Sequence, residues 1–180
     1  MGHFVFTLAL LDRIKESQPS RIVIMSTSLH ENALGINYDT IFKVGDTEQP
    51  HHQNSWGRFY CSEFANIMFA KALARRLRTS DPRVFVNIAN PGYVSTEATR
   101  SIKGDSVLDG LKEWAHGVLT SLYLATSSEV ENKRGSGRYF GPIANELEPS
   151  KYSTDEKLQE ELWAYSEKLA HDKLKAQAPS

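Results

Sequence analysis

The sequence predicts an α/β fold built on a parallel sheet. Three observations carry that expectation. Short, continuously apolar and β-branched runs occur at 21–26 and 84–89, as strands covered on both faces require. Longer segments whose apolar residues recur every three or four positions flank them, and the two kinds of segment alternate along the 180 residues.

Taken in order, Phe4, Leu8, Leu11 and Ile14 mark a helix over 4–14 that Pro19 ends. Arg21-Ile22-Val23-Ile24-Met25-Ser26 then reads as a buried strand. Residues 29–55 show neither period and contain Gly35, Gly45 and Pro50, so they read as a long excursion of the kind that borders sites. A broad stripe of Phe64, Ile67, Met68, Ala70, Leu73, Ala74 and Leu77 predicts a helix over 59–77. The run 84–89 is a second buried strand, halted by the turn Asn90-Pro91-Gly92. A third helix is expected over 107–125, a third strand at 138–140, and a last helix over 154–174 capped by Ser153 or Thr154. Such an order implies right-handed crossovers. Three parallel strands are few, so the first strand is expected to have a bare edge, with structure missing on its N-terminal side.

Bulk properties narrow the function classes. One domain is expected at this length. Lys plus Arg number 21 against 22 Asp plus Glu, so no broad field draws nucleic acid or an anionic membrane. Arg75, Arg76 and Arg78 sit at the end of a predicted helix, where cations meet its negative pole, and are read as structural. Cys61 is the single cysteine, which excludes an internal disulfide and suits a reducing, cytoplasmic setting. No apolar run reaches the roughly 18 residues of a membrane span. No metal site is expected: His51-His52, with Asp46 and Glu48 nearby, reads as a solvated loop.

Four segments, in order and at matching spacing, resemble the second half of a short-chain dehydrogenase/reductase, nearest to its retinol-dehydrogenase-like and fungal branches. They are Gly2-His3-Phe4, Ser20-Arg21-Ile22-Val23-Ile24-Met25-Ser26-Thr27-Ser28, Ser62-Glu63-Phe64-Ala65-Asn66-Ile67-Met68-Phe69-Ala70 and Asn90-Pro91-Gly92-Tyr93-Val94-Ser95-Thr96. The resemblance implies the C-terminal half of a Rossmann-type, doubly wound parallel sheet of about three strands with helices on both faces. Residues 1–180 would then form one partial domain without the N-terminal dinucleotide-binding half, since no Gly-x-x-x-Gly-x-Gly occurs in them.

The chemistry so implied is NADP- or NAD-linked hydride transfer to or from a small carbonyl or alcohol substrate. In this family a tyrosine exchanges the proton, a lysine one helical turn later lowers its pKa and holds the nicotinamide ribose, and a strand-end serine orients the carbonyl. Here Phe59 stands at the tyrosine and Glu63 at the lysine. Phenylalanine has no proton to give, and a carboxylate beside a phenol raises its pKa. Tyr60 is one residue off, about 100° around the helix, and is read as packing unless the helix start slips. Thr27, flanked by Ser26 and Ser28, matches the serine, with capping of the following loop as the competing role. Pro91, Gly92, Val94 and Thr96 match the turn that contacts the nicotinamide amide and the pyrophosphate.

Two readings stay open at this point. One is a family oxidoreductase, with fungal accessory metabolism as the suggested setting. The other is a truncated, non-catalytic relative, a pseudoenzyme that pairs with itself or with an intact family member through the helices around 2–14 and 59–77, or a fragment with no function of its own.

Overall fold

The computed structural model describes residues 1–39, 55–94, 114–133 and 135–177. Helix α1 (Gly2–Glu16) leads into strand β1 (Ser20–Met25) and a 3-10 turn (Ser28–Asn32). Helix α2 (Ser55–Ser80) and strand β2 (Val84–Ala89) follow. Three short helices come next: α3 (Trp114–Gly117), α4 (Leu119–Thr126) and α5 (Ser128–Asn132). Strands β3 (Tyr139–Gly141) and β4 (Asn145–Leu147), a second 3-10 turn (Lys151–Thr154) and helix α6 (Glu156–Gln177) complete the order.

The sheet runs β1-β2-β3-β4. Strands β1 and β2 pair in parallel from Ser20↔Val84 to Met25↔Ala89. Strand β3 joins β2 in parallel at Ile88↔Tyr139 and Ala89↔Phe140. Three carboxyl ends therefore lie along one edge, the edge at which open α/β sheets bind ligands.

Every residue of β2 is buried, as its unbroken apolar run predicts. Val84, Val86 and Ile88 face α1, α2 and α6 in a core with Phe4, Ile67, Leu73 and Trp163. Phe85 and Ala89 face the other way, toward Leu124, Val130 and Phe140. Asn87, 2% exposed, lies between them. Its amide donates to the Gly135 carbonyl at 2.9 Å, and its carbonyl accepts from the Arg138 N–H at 3.1 Å. The pair fixes the loop that delivers β3. Asn87→Leu keeps the volume and leaves both backbone groups buried without partners. We expect it to lower the unfolding free energy by about 2 kcal/mol, read as a shifted urea midpoint at constant slope.

The structure corrects several sequence expectations. The sheet has four strands, since β4 adds antiparallel to β3 through Tyr139↔Leu147 and Gly141↔Asn145. Its three residues are all exposed, and the turn before it places Ile143 and Ala144 at φ 58 without the Asn-Gly signal that announces such turns. The helix expected over 107–125 is interrupted at Val118 in its described part; residues 107–113 lie outside the described residues. There the Thr120 hydroxyl donates to the Gly141 carbonyl at 3.0 Å and accepts from Ala144 N–H at 3.2 Å, docking α4 on the β3–β4 turn. Neither Ser153 nor Thr154 caps α6. Asp155 Oδ1 accepts from the N–H groups of Lys157 and Leu158, at 2.9 and 3.2 Å.

Among the described residues β1 pairs with β2 alone, so one of its edges is bare, as expected. The N–H groups of Ser20 and Ser26 donate toward β2, to Arg83 and Ala89 carbonyls. By alternation, the backbone groups of Arg21 and Val23 face outward.

Candidate active site

The strand-end edge collects most of the candidate residues. Ser26, 4% exposed, donates its hydroxyl to the main-chain oxygen of Glu63 at 3.1 Å. Burial pushes the Glu63 carboxyl above the ordinary range, and the Ser26 hydroxyl beside it pulls it partly back. One turn further along α2, the Asn66 amide reaches the Met25 carbonyl at 3.5 Å. Helix α2 is thus pinned to the end of β1 by one face, and Glu63 is on that face.

Thr27 does take the capping role. Its Oγ1 accepts the Leu29 N–H at 3.3 Å and starts the 3-10 turn, in which Ser28 is the first residue. Phe59, one turn before Glu63, is 39% exposed and stands edge-on to Trp56, with ring centroids 6.1 Å apart. Tyr60 is half-buried; it packs on the cluster of Cys61, Phe64, Met68 and Leu162 and stacks loosely on Trp56 at 5.9 Å. The helix has already begun at Ser55, well ahead of both residues. Residue 60 therefore sits off the line through Phe59 and Glu63, as its position predicts.

The turn after β2 is built from local chemistry. Asn90 Oδ1 accepts the Gly92 N–H at 2.9 Å across Pro91. Gly92 has φ +77, and a Cβ there would lie 2.6 Å from Cγ of Pro142, so a side chain fits neither the backbone nor the space. Val94 follows at the end of the described stretch, close against Gly117. Thr96 lies outside the described residues, as do His51, His52, Asp46 and Glu48. Among the described residues, no three His, Cys, Asp or Glu side chains gather as metal ligands would.

Beside Glu63 opens a cavity of about 350 Å³ between α1, α2 and α6, lined in part by His3, Arg58, Asn66, Phe69 and Tyr165. Its size is that of a small-ligand site. Two of the three arginines read as structural make such contacts: Arg75 and Arg76 both bridge to Glu160, and Arg76 lies 3.9 Å over the Trp163 ring.

Beside the turn residue Asn90, two residues of this edge, His30 and Tyr139, carry no chemical signal in the sequence. Asn90 is buried and shapes the turn. His30 is fully buried in the 3-10 turn, its ring edge-on to Tyr139 at 5.3 Å. Burial pushes the Tyr139 phenol up to about 12; the Asn90 side chain offsets that in part, but among the described residues no bond of normal geometry reaches the hydroxyl. An isolated histidine or tyrosine in an apolar pattern looks the same whether it fills a core or faces a cleft. Tertiary contacts alone separate the two cases.

No protein-family model matches the chain. It is 38% identical to retinol dehydrogenase 14 of Homo sapiens, over 93% of this chain and 49% of that protein. It is 30% identical to a chloroplastic short-chain dehydrogenase of Brassica napus, over 94% of this chain and 54% of that protein. In fold it is similar to a short-chain dehydrogenase of Shigella flexneri solved with NADP, with TM-score 0.55 and 24% identity over 77% of this chain and 47% of that one. The chain spans about half the length of the curated relatives it matches. Likeness along nearly all of its own length, joined to a parallel sheet whose strand ends and pinned helix occupy the expected places, leads to one conclusion: the chain belongs to the short-chain dehydrogenase/reductase family.

Proposed function

We propose that the chain supplies the substrate-side half of a nicotinamide-linked oxidoreductase for a small carbonyl or alcohol, with NADP or NAD as the cofactor. The observation that carries this reading is the juxtaposition of the Ser26–Ser28 hydroxyls, Glu63 and the Asn90-Pro91-Gly92 turn at one sheet edge. Retinol-like alcohols and their aldehydes are the first substrates to try, since relatives bear that name. A cytoplasmic place in fungal accessory metabolism is the setting we propose, on sequence resemblance alone.

The residues present fit this chemistry unevenly. Of the strand-end hydroxyls, Ser26 donates its proton to the Glu63 carbonyl, while Thr27 caps through a lone pair and keeps an O–H for a carbonyl oxygen. The proton relay does not fit. Phe59 has no acidic proton, and Glu63 puts a half-buried carboxyl where the ribose and phenolate want an ammonium. We therefore assign no proton-transfer step to either residue. We propose that the dinucleotide-binding half lies outside these 180 residues, which contain no glycine-rich phosphate turn.

Titrating the purified chain with NADPH and NADH, while following nicotinamide fluorescence, tests the reading. Weak saturable binding is expected, with Kd of about 1 mM, or roughly 4 kcal/mol. Absence of any response to either nucleotide at several millimolar would end the oxidoreductase reading.

The second reading is a non-catalytic pairing module. It is favoured by the bare edge of β1 together with Val5, Phe6 and Leu10 of α1, which are 39–69% exposed. The partner would be a second copy or an intact relative. Light scattering that finds a monomer at high concentration, and no complex with such a relative, counts against it.

A further inference from the structure

His30 holds together its own turn, at Thr27, and a segment 120 residues beyond it, at Ser150, and its ring does so in one protonation state. Nδ1 lies 2.6 Å from the Thr27 carbonyl oxygen, and Nε2 lies 2.9 Å from the Ser150 amide nitrogen. A carbonyl can only accept and an amide N–H can only donate. Nδ1 must therefore carry the proton, and Nε2 must present its lone pair. The ring is 0% exposed, so neither bond has water as a substitute.

The two segments matter to the site. Thr27 is the middle hydroxyl of the strand-end row and the cap of the 3-10 turn. Ser150 precedes the second 3-10 turn, where its carbonyl accepts the Ser153 hydroxyl at 2.6 Å, and that turn runs into α6. We propose that neutral His30 is a positioning residue that fastens the Thr27 end of the carbonyl-orienting row to the segment leading into α6, and that protonation of its ring opens this fastening. The function so assigned rests on reading Ser26–Ser28 as the orienting hydroxyls; the fastening itself does not.

Protonated, Nε2 would present an N–H to the Ser150 N–H, and a bond would become a repulsion. The surroundings offer little compensation. Glu31 in the same turn attracts a charged ring, but burial outweighs it and holds the His30 pKa below the usual histidine value. Tyr139 of β3, edge-on to the ring, stays a neutral phenol; Glu63 of α2 acts on that phenol and contributes nothing resolved at His30. Ser150 has a second stake in the contact, because its own hydroxyl is buried without a partner among the described residues.

The sign of the linkage follows. An unfolded chain takes up the His30 proton near pH 6.5, whereas the folded chain resists it until lower pH. The stability contribution is whole above about pH 6.5 and is lost as pH falls from there toward the folded value.

The test follows the labelled 180-residue chain by NMR from pH 8 to pH 4.5. At pH 8, the His30 ring nitrogens should show the Nδ1–H form alone. As the ring titrates, with a midpoint below 6.5, the Ser150 and Leu29 amides should shift along the same curve. Hydrogen-exchange protection of the Ser150 amide should drop about tenfold, after correction for the intrinsic pH dependence of exchange. His30→Gln should keep Ser150 protected, through its amide oxygen, and abolish the drop. A mixed tautomer at pH 8, or a Ser150 amide indifferent to ring titration, overturns the proposal even if variants fail to fold. Nicotinamide binding is scored separately: its absence with the titration intact rejects the orienting role and leaves the fastening, and the converse rejects the fastening alone.

Discussion

In a longer form that carries the dinucleotide-binding half, Phe59→Tyr and Glu63→Lys together should raise nicotinamide-dependent carbonyl reduction by about 10²-fold or more over the unsubstituted longer form. The expectation rests on where the two positions lie. Phe59 is exposed, so a phenolic hydroxyl added to its ring meets solvent and not the core. Glu63 is one turn further along the same helix, beside Ser26 and half out of water. There an ammonium would lower a neighbouring phenol's pKa by the charge effect that the carboxylate reverses. The two changes act as a unit. Phe59→Tyr alone places the phenol beside a carboxylate and gains little, and Glu63→Lys alone has no proton donor to assist. Steady-state oxidation of NADPH with a panel of aldehydes, retinaldehyde among them, measures the difference. If the double variant is no faster than either single one, positions 59 and 63 do not hold the roles assigned to them.

Trp163→Ala should cost about 3–5 kcal/mol of unfolding free energy. Trp163 of α6 is 8% exposed and fastens three helices at once. Its ring is edge-on to Phe4 of α1 at 5.1 Å and stacked on Phe69 of α2 at 5.8 Å, with the Arg76 guanidinium on its other face. Truncation opens a cavity among elements that cannot collapse without shifting the sheet they cover, and it strips the cation from its ring. Trp163→Phe keeps the aromatic contacts and should cost about a third as much. Urea unfolding followed by circular dichroism checks both variants. A loss below about 1 kcal/mol for the alanine variant would mean that α6 is not part of the cooperative unit.

The strand at 84–89 was legible because burial on both faces demands an unbroken apolar run, whereas the similar run at 20–25 buries only Ile22 and Ile24 and leaves Met25 exposed, so it is fully covered on one face and not on both as its sequence suggests. The long helix was legible because its apolar stripe repeats over five turns, although the pattern placed its start at residue 59 and the backbone starts it at 55. Strand β4 was not legible. It has three exposed residues, and its turn holds Ile143 and Ala144 at positive φ, which local propensity disfavours and the docking of Thr120 supports. The α6 cap was not legible among two adjacent hydroxyls and a carboxylate, since Ser153, Thr154 and Asp155 can each cap a helix and only the backbone's start at Glu156 selects Asp155.

For the site, the sequence by itself determined which side chains stand at positions 59 and 63. Phe59 cannot carry a proton, and Glu63 cannot act as an ammonium, in any conformation. The order of strand, helix and glycine turn was likewise set by local patterns that act over a few residues. Only the tertiary structure decided which of these groups meet. Ser26 bonds to the backbone of Glu63 across 37 residues, while Thr27 spends its hydroxyl on a cap. His30 joins the nearby Thr27 to Ser150, which lies 120 residues beyond the histidine, and no local rule reaches that far. Such pairings come from burial, which brings distant backbone donors and acceptors into a space without water and obliges them to find one another.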